Sequence, residues 1–417
     1  MKKLMYVSRL FTGLETSVLT ENWQPTGVPT IYKFIEEICG NDNWIVQPIL
    51  CQKSGFSHWI HTKDKVVYIK GLNKDVWVLA GENYFPNIMP LFFKKFFREI
   101  RHIFKLFYFY FKNKPDVIYI DHANIFPASL FARFTKAKVI FRVMGVYPSM
   151  REALKLKNFS SFFYKYAYSS KFDLVVCTQD GTGVESWLDN AISPGVPVEI
   201  LINGVYLNTD KQHTSDISLK IKKISQNKTT ILFVGKLEDH KGCEEFVDSV
   251  IKAIRAKPKS FHGVIVGFGS RRKALIDRIK KEKLTLDFSF IERLPHSDIL
   301  FLQEICDIYI SLNKLGNFSN ANLEAMLVGS CMIIPENLPY IGEDKTIKKY
   351  LPYDSYMGIS SIIDTESIVE KIIQLQENKL LRNTLRKKIK DSSKKFIPTW
   401  NERIIYEIDL LEKKFNF

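Results

Sequence analysis

The chain has 417 residues, with 60 lysines and arginines against 45 aspartates and glutamates, which gives a formal net charge of +15. Hydrophobic residues make up 46% of the sequence, so its apolar surface can offset the entropy cost of folding, and disorder is excluded as the main state. The length exceeds what one hydrophobic core usually serves. The sequence therefore predicts two domains of roughly 200 residues each.

The six cysteines lie far apart and form no C-x-x-C pair, which argues against a zinc cluster or a disulfide framework and favours a reducing compartment. Ser8 and Arg9 interrupt the first apolar run before it reaches the length of a signal peptide core. No stretch reaches the about 18 uncharged apolar residues of a membrane-spanning helix. We therefore expect a protein that is not integral to a membrane. Its net positive charge leaves three anionic partners possible: nucleic acid, nucleotide phosphates or a lipid surface.

Short apolar, β-branched runs alternate with longer helical patterns along the first half of the chain. This alternation is typical of a parallel sheet wrapped by helices. The predicted strands are Leu4–Val7, Trp44–Ile49, Val66–Tyr68, Val117–Ile120, Val139–Phe141, Leu174–Val176 and Glu199–Ile202.

Residues 92–114 combine seven lysines and arginines, one glutamate and ten phenylalanines and tyrosines. The pattern is typical of an interfacial helix that places aromatic rings among lipid headgroups and attracts anionic lipid. The alternative is a helix packed on the sheet with a solvated basic back. At helical spacing the predicted apolar face contains Phe93, Phe96, Phe97, Ile100, Phe104, Phe107 and Phe111, with Lys94, Arg98, Arg101, Lys105 and Lys112 beside it.

The alternation restarts after a polar stretch, Asn208 to Thr229, which we interpret as an interdomain linker. Two α/β domains in tandem follow. In open sheets of this class a ligand binds beyond the carboxyl ends of the strands, and with two such domains the cleft between them is the expected site. The predicted strands here are Thr230–Val234, Gly263–Val266, Phe288–Ile291, Ile308–Ser311 and Cys331–Ile334, and the predicted helices are Cys243–Ala256, Arg271–Lys281 and Asn320–Val328.

Residues 231–254 carry two lysines between a strand and a helix. The strand runs into Gly235 and Lys236, and Lys241 and Gly242 stand at the head of an amphipathic helix. This arrangement suits a diphosphate, because the two cations, the oriented N–H groups and the helix dipole all favour negative charge. The alternative is that both lysines are solvated surface charges, as most lysines are.

Residues 315–335 form a small polar turn followed by a helix that ends at Gly329. Glu324 lies in the first turns of this helix, where a carboxylate can accept hydrogen bonds from both hydroxyls of a ribose. Its alternative role is to complement the helix dipole. A third segment has Gly267 and Gly269 between a strand and a helix. This G-x-G pattern is weak evidence of a binding site by itself, but it gains weight because all three segments occur in one domain and in this order.

Together these segments resemble the nucleotide-sugar-binding domain of the GT-B-fold glycosyltransferases, in particular the large retaining family commonly numbered four, glycosyl transferases group 1. The resemblance implies an α/β, GT-B fold of two Rossmann-like domains facing each other across a cleft. Residues 1–206, with 398–417 crossing back, would form the acceptor-binding domain, and residues 207–397 the nucleotide-sugar-binding domain. The matching stretches are INGVYLN (202–208), FVGKLEDHKG (233–242), VGFGS (266–270), FIERLPHSDILFLQEICDIYISLN (290–313), NANLEAMLVGSCMIIP (320–335) and PTWNERIIYEIDLLEKKF (398–415).

The resemblance also implies roles for individual residues of the second domain. Lys236 and Lys241 would hold the donor diphosphate, and Glu324 the ribose. The backbone near Arg293 and Leu294 would read the base. Further donor contacts are expected from Gly235, Gly267, Asn317, Ser319 and Asn320.

Several positions depart from the family's pattern. Lys236 stands where the family usually has arginine, and Gly316 where it has a glutamate that contacts the transferred sugar. In the first domain, Thr26-Gly27-Val28 lies where the family has a glycine-rich turn near the phosphates, and Met144 where relatives commonly have histidine. His122 follows a predicted strand and is a candidate catalytic residue, with a structural role as the alternative.

The resemblance implies transfer of a sugar from a UDP-sugar or GDP-sugar to a hydroxyl, with retention of configuration. No cofactor and no metal are expected, because the lysines supply the counter-charge and the sequence has no D-x-D motif. The expected partners are a nucleotide-sugar donor, a glycan or lipid-linked acceptor of surface polysaccharide or lipopolysaccharide synthesis, and an anionic membrane surface, but not nucleic acid. We expect a cytoplasmic protein, peripheral on the inner face of the membrane. The alternatives are a catalytically silent donor-binding homologue and a basic nucleic-acid-binding protein.

Overall fold

A computed structural model describes residues 1–53, 62–157, 159–206 and 215–415. The chain forms two compact units. The first domain comprises Met1–Thr178, Val184–Leu201 and the C-terminal segment from Trp400, and the second comprises Gln179–Gly183 and Ile202–Thr399. Residues 207–214, which contain the start of the predicted second domain and part of its matching Asn-Gly-Val segment, lie outside the described residues.

The first domain is built on an eight-stranded sheet in the order β3-β4-β2-β1-β5-β6-β7-β8. β3 and β4 are antiparallel, while β1 pairs in parallel with β2 and β5, and β6 with β5 and β7. β4 is absent from the predicted set because it follows β3 after only four residues and opens with charged Lys74 and Asp75. The strands are β1 (Lys2–Leu10), β2 (Trp44–Gln52), β3 (Lys65–Ile69), β4 (Lys74–Leu79), β5 (Val117–Asp121), β6 (Lys138–Val143), β7 (Leu174–Gln179) and β8 (Val198–Ile202).

Helices cover both faces of this sheet, which explains why its strands are nearly continuous apolar runs. Met5 and Val7 of β1 pack into one apolar cluster, and Leu4 and Tyr6 into another. The helices are α1 (Thr12–Thr20), α2 (Pro29–Gly40), α3 (Leu91–Asn113), α4 (Ile125–Phe134), α5 (Pro148–Ala153), α6 (Phe159–Tyr168) and α7 (Val184–Ala191), with short 3-10 turns at Glu82–Tyr84 and His122–Asn124.

The second domain has a six-stranded parallel sheet in the order β11-β10-β9-β12-β13-β16. The chain adds strands on one side of β9 as far as β11 and then returns to add β12 on the other, so the topological switch point lies between β9 and β12. The strands are β9 (Thr229–Val234), β10 (Phe261–Val266), β11 (Phe288–Ile291), β12 (Ile308–Ile310), β13 (Met332–Pro335) and β16 (Met357–Ile359), with β14 (Asn337–Leu338) and β15 (Gly342–Glu343) as a separate antiparallel pair.

Eight helices of the described second domain surround this sheet. They are α8 (Asp216–Ser225), α9 (Cys243–Ala256), α10 (Arg272–Lys281), α11 (His296–Ile305), α12 (Asn320–Val328), α13 (Lys345–Tyr350), α14 (Thr365–Glu377) and α15 (Lys379–Ser393), with 3-10 turns at Asp239–Lys241 and Thr285–Asp287. The predicted bounds of α9 and α12 are confirmed. The predicted linker is wrong over Asp216–Ser225, where Ser215 caps α8 and Ile221 anchors it in the core.

The C-terminal helix, α16 (Trp400–Lys414), belongs to the first domain. Ile404, Ile408 and Leu411 enter one of that domain's apolar clusters. The buried Glu407 carboxylate lies 3.2 Å from Arg142 Nε and 2.6 Å from Arg403 Nη1. The mostly parallel first sheet and the parallel second sheet, each with helices around it, confirm the predicted α/β architecture of two Rossmann-like domains.

Candidate functional site

The candidate site lies at the carboxyl edge of the second domain's sheet. Because β11, β10, β9 and β12 are parallel neighbours, the segments that follow them meet at one edge. At a topological switch point the loops diverge and leave a crevice for a ligand, and here that point lies between β9 and β12. Gly235 and Lys236 follow β9, Gly267 follows β10, Arg293 and Leu294 follow β11, and residues 311–319 follow β12.

Lys236 and Lys241 are the predicted diphosphate ligands at this edge. Lys236 is exposed, whereas Lys241 ends the Asp239–Lys241 turn and is partly buried. Burial lowers the pKa of Lys241, Asp180 opposes this effect, and the charge of Lys236 adds to it. The two ammonium groups are therefore close enough to repel each other, and a bound anion would relieve this repulsion.

Helix α9 begins immediately after Lys241. Its N-cap is Gly242, and among the described residues no side chain accepts a hydrogen bond at this cap. The N–H groups of the first turn and the positive end of the helix dipole are thus available to an anion beside the two lysines.

The loops after β9 and β10 are paired through their backbones. Gly235 N donates to Val266 O at 3.0 Å, and Leu237 N donates to Phe268 O at 2.8 Å. Phe268 stands between the two predicted glycines with 45% of its surface exposed, and the guanidinium carbon of Arg293 lies 4.9 Å from its ring centroid. The two groups form a flat cation–π pair at the strand edge, where Leu294 is half-buried.

The turn before α12 holds the three predicted polar contacts in different environments. Asn317 is fully buried, and its amide donates to Pro335 O at 2.8 Å and to Asp344 Oδ2 at 2.9 Å. Ser319 is the N-cap of α12, and Asn320 Oδ1 accepts from Asn203 Nδ2 at 2.8 Å. Asn317 thus braces the turn internally, whereas Ser319 and Asn320 are partly exposed.

Glu324 lies in α12 with 8% of its surface exposed. His296 Nε2, at the start of α11, lies 2.8 Å from Glu324 Oε1. The hydrogen bond to Glu324 raises the pKa of His296, which favours the protonated imidazole that donates this bond. One carboxylate oxygen is therefore held by His296, and Oε2 remains for a further hydrogen bond.

Gly27 and His122 belong to the first domain. His122 directly follows β5, beside the point between β1 and β5 where this sheet's strand order reverses. Burial lowers the pKa of His122 against the opposing charge of Asp121, so its imidazole is neutral near pH 7. Gly27 has φ of +90°, and the neighbouring Thr26 N donates to Gly13 O at 2.9 Å.

Residues 215–395 match the family model described as glycosyl transferases group 1. This range contains all the second-domain residues of the candidate site described above except Asn203 and Asp180. Residues 215–395 therefore form a domain of this glycosyltransferase family.

Relatives of the whole chain support the assignment of the second domain and the fold. An uncharacterized glycosyltransferase of Methanocaldococcus jannaschii is 26% identical over 326 residues, covering 75% of each chain. Sucrose-phosphate synthase from Thermosynechococcus elongatus superposes over 100% of both chains, with a TM-score of 0.70 and 11% identity. HepE of Anabaena, solved in complex with UDP-glucose, superposes over 98% of this chain and 100% of its own, with a TM-score of 0.63 and 13% identity. The predicted GT-B fold is confirmed.

Helix α3 of the first domain corresponds to the predicted basic aromatic segment. Its buried residues are Arg98, His102, Leu106 and Phe109. Much of the predicted aromatic face is exposed, including 71% of Phe104 and 66% of Phe111. The side chains of Phe97, Ile100 and Phe104, with Trp77 and Leu79, line a groove of about 700 Å³ beside the helix.

Three of the predicted membrane-facing cations of α3 form ion pairs and are wrong as free charges: Arg98, Arg101 and Lys105, whose Nζ lies 3.4 Å from Asp64 Oδ2. Arg98 is buried, and its Nη1 lies 2.5 Å from Glu82 Oε1. Arg101 forms an ion pair with Asp64. Both acids are distant in the sequence, so helical spacing alone could not reveal the pairs. Lys94, Lys95, Lys105 and Lys112 keep exposed or partly exposed side chains.

The described residues lack a membrane-spanning helix and a metal-binding cluster. Among residues 1–53, 62–157, 159–206 and 215–415, no helix is long and apolar enough to cross a membrane. Within the same ranges, no group of three or more His, Cys, Asp or Glu side chains is placed to hold a metal ion.

Four residues near these sites are absent from the predicted set. His296 and Phe268 lie within the matching stretches, and each makes a side-chain contact with a predicted site residue. Gly13 follows β1 directly, and a Cβ there would lie 1.7 Å from Thr26 O, so it is the close-approach glycine of the first strand end. Its signal was the F-T-G sequence after the first strand. Asp180 follows β7 in a D-G-T-G turn, and its charge acts on Lys241.

Proposed function

We propose that this glycosyltransferase moves a sugar from a nucleoside diphosphate sugar to a hydroxyl of a glycan acceptor. The observation that carries the proposal is topological: two lysines follow one strand at the switch point of the second sheet, and one carboxylate lies in the helix after the other strand. Lys236 and Lys241 follow β9, and Glu324 lies in the helix after β12. The crystal structures of HepE with UDP and with UDP-glucose support a nucleotide-sugar donor.

Each part of the site suits one part of such a donor. The two ammonium groups and the start of α9 balance the charge of a diphosphate. Glu324 Oε2 accepts hydrogen bonds from ribose hydroxyls while His296 holds Oε1. The exposed Phe268 ring, paired with Arg293, offers a flat surface near the base. Gly235, Gly267, Leu294, Ser319 and Asn320 bring backbone or short polar groups to the same edge.

We further propose a hexosyl transfer with retention of configuration and without a metal. The departing diphosphate accepts the proton of the acceptor hydroxyl as the new glycosidic bond forms. Lys241 and Lys236 stabilise the charge that develops on this leaving group, the role that a divalent cation plays elsewhere. His122 stays a candidate catalytic residue of the first domain.

The acceptor is proposed to be a lipid-linked glycan of surface polysaccharide synthesis, presented at an anionic membrane surface. The support is the exposed aromatic face of α3, together with Lys95, Lys105 and Lys112. Exposed aromatic rings insert at the headgroup boundary, and lysines nearby attract anionic lipid. The groove beside α3 adds apolar surface on the same side of the helix.

Titration calorimetry with UDP, GDP, UDP-glucose and GDP-mannose tests donor binding. Lys241→Ala is expected to weaken binding of the preferred nucleotide by about 10- to 100-fold, because charge-assisted hydrogen bonds to the diphosphate are lost. Lys387→Ala, an exposed lysine of α15, is the matched control and should leave binding unchanged. Equal affinity of wild type and Lys241→Ala would contradict the proposed site.

A donor-binding homologue without turnover is the second candidate. It is favoured by Met144 and Gly316, which stand where the resemblance implies histidine and glutamate. Release of UDP or GDP from a bound sugar donor in the presence of glycan acceptors would exclude this candidate. Tight donor binding without release across a broad acceptor panel would support it.

A further inference from the structure

The loop after β7 packs against the turn before α12 through two glycines. Gly181 has φ of +80°, and a Cβ there would lie 2.7 Å from Asn317 N. A Cβ on Gly316 would lie 2.5 Å from Asp180 O. Backbone therefore touches backbone, and neither position has room for a side chain unless the loops move apart.

This packing brings a carboxylate to the diphosphate site. Phe318 N donates to Asp180 O at 3.1 Å, which ties the loop to the turn after β12. The Asp180 side chain and Lys241 interact electrostatically, each shifting the pKa of the other. Asp180 thus stands beside the lysine that is proposed to hold the phosphate.

Thr182 fixes the orientation of the Asp180 carboxyl. Thr182 N donates to Oδ1 at 3.1 Å, and Thr182 Oγ1 donates to the same oxygen at 2.6 Å. Both bonds from Thr182 go to Oδ1, and neither goes to Oδ2. Burial raises the pKa of Asp180 to about 6, so the carboxyl is largely ionised at pH 7.5 and largely protonated at pH 5.

A carboxylate is unsuited to bind phosphate, because like charges repel. It is well suited to accept hydrogen bonds from the hydroxyls of the sugar that the diphosphate carries. We propose that Asp180 is a specificity-determining residue that accepts a hydrogen bond from a hydroxyl of a neutral transferred hexose and excludes sugars that carry a carboxylate. This inference rests on the proposed function and adds the substrate class.

The preference for a neutral hexose over a hexuronic acid follows from charge. A hexuronic acid would bring a second carboxylate towards Asp180, where Lys241 is the cation that lowers the pKa of the Asp180 carboxyl. A neutral hexose has hydroxyls that donate to Oδ2 without this repulsion. Lys241, already required by the diphosphate, cannot offset a second anionic group at the same time.

The test compares full-length wild type and Asp180→Asn by calorimetry with UDP, UDP-glucose, UDP-galactose and UDP-glucuronate, and with GDP and GDP-mannose. Asparagine is nearly isosteric and can still accept from Thr182. We expect the variant to bind the nucleoside diphosphate within about 3-fold of wild type and to bind the preferred neutral sugar donor about 10- to 100-fold less tightly. We also expect it to lose the discrimination against UDP-glucuronate. Asp277→Asn, an exposed aspartate of α10, is the control.

A second measurement separates a sugar contact from a structural role. Lowering the pH from 7.5 to 5 should weaken binding of the sugar donor more than binding of the nucleoside diphosphate in wild type, and this difference should vanish in Asp180→Asn. Parallel weakening of both ligands in the variant, with a lower melting temperature, would assign Asp180 a structural role and overturn the inference. An unchanged ratio of the two affinities would also overturn it. Wild type that binds none of the six nucleotides would contradict the proposed function itself.

Discussion

His296 Nε2 lies 2.8 Å from Glu324 Oε1, so a residue of α11 holds the acid of α12 that is proposed to bind ribose. The two helices pack against each other, and the bond fixes the carboxylate before any ligand arrives. Such positioning reduces the entropy that is lost when a sugar binds.

The His296–Glu324 pair predicts a pH-dependent contribution to stability. The bond raises the pKa of His296, so its contribution is fully present below the ordinary value of 6.5 and is lost as the pH rises through the raised pKa. His296→Ala should therefore lower the melting temperature more at pH 5.5 than at pH 9. The effect should stay below about 1 kcal/mol, because the side chain is 39% exposed.

His262 provides a control for this experiment, because its effect on stability has the opposite pH dependence. Burial lowers the pKa of His262 to about 4, so protonation at low pH opposes folding. His262→Gln should therefore reduce the loss of stability that wild type shows on acidification. A penalty for His296→Ala that is equal at both pH values would contradict the assigned bond.

Glu407 predicts a large stability effect confined to the first domain. Burial raises the pKa of Glu407, but Arg403 and Arg142 more than offset this, so the pKa lies below 4.5. Its contribution is present above pH 4.5 and is lost as the pH falls through the lowered pKa. Glu407→Gln should destabilise this domain by about 3 to 5 kcal/mol at pH 7, because two buried guanidinium groups lose their partner.

Tryptophan fluorescence during urea unfolding measures this effect selectively. The tryptophans of the described residues, at positions 23, 44, 77, 187 and 400, all lie in the first domain, so their signal follows that domain. Glu370→Gln, an exposed glutamate of α14, should leave the transition in place. A shift smaller than about 1 kcal/mol for Glu407→Gln would show that the pair does not anchor α16.

Lys236 and Lys241 are expected to differ in their effects on donor binding. Lys241 is partly buried and Lys236 is exposed, so a phosphate contact with Lys241 is less screened by water. Lys241→Ala should therefore cost more donor affinity than Lys236→Ala, and the loss for Lys236→Ala should shrink faster as salt is raised from 50 to about 300 mM. Titration of both variants at the two salt concentrations measures this. Equal losses with equal salt dependence would contradict the assigned geometry.

The aromatic face of α3 predicts binding to anionic vesicles. Replacing exposed Phe104 and Phe111 by serine should reduce flotation with vesicles of phosphatidylglycerol and leave the melting temperature within about 2 °C, since neither side chain is in the core. Tyr353→Ser, at an 85% exposed residue of the second domain, is the control. Unchanged flotation of the double serine variant would remove α3 as the contact.

The charged residues of α3 require a revised choice of variants. A variant with glutamate at Lys94, Arg98, Arg101 and Lys105 would also break the Arg98–Glu82 and Arg101–Asp64 pairs, so lost flotation would not distinguish unfolding from lost lipid contact. Glutamate at Lys95 and Lys112 changes exposed charges only, whereas Lys105 is kept because its ammonium lies 3.4 Å from Asp64 Oδ2. This variant should lose flotation at low salt while wild type retains it.

The sequence was sufficient where a signal is local. The apolar stripe after Gly242 predicts both ends of α9, and Gly329 predicts the end of α12 because its φ of +83° suits a helix stop. The α/β alternation predicts the parallel sheets, since strands buried on both faces are continuous apolar runs. The order of strands then brings Lys236, Lys241 and Glu324 to one edge.

The sequence was insufficient where a residue's role depends on a distant partner. Arg98 has the spacing of a surface cation, and only the folded chain shows that Glu82 neutralises it. Helix α8 is rich in lysine and resembles a linker until Ile221 is seen in the core. Asp180 lies in the turn that follows β7, a strand of the first domain's sheet. Its position near Lys241 depends on the contact between Gly181 and Gly316.

A crystal structure of the protein with its preferred nucleoside diphosphate hexose tests the central claim most directly. The account predicts the diphosphate within hydrogen-bond distance of Lys241 Nζ and the ribose hydroxyls at Glu324 Oε2, with His296 still bound to Oε1. A donor bound elsewhere, with Lys241 and Glu324 remote from it, would contradict the account.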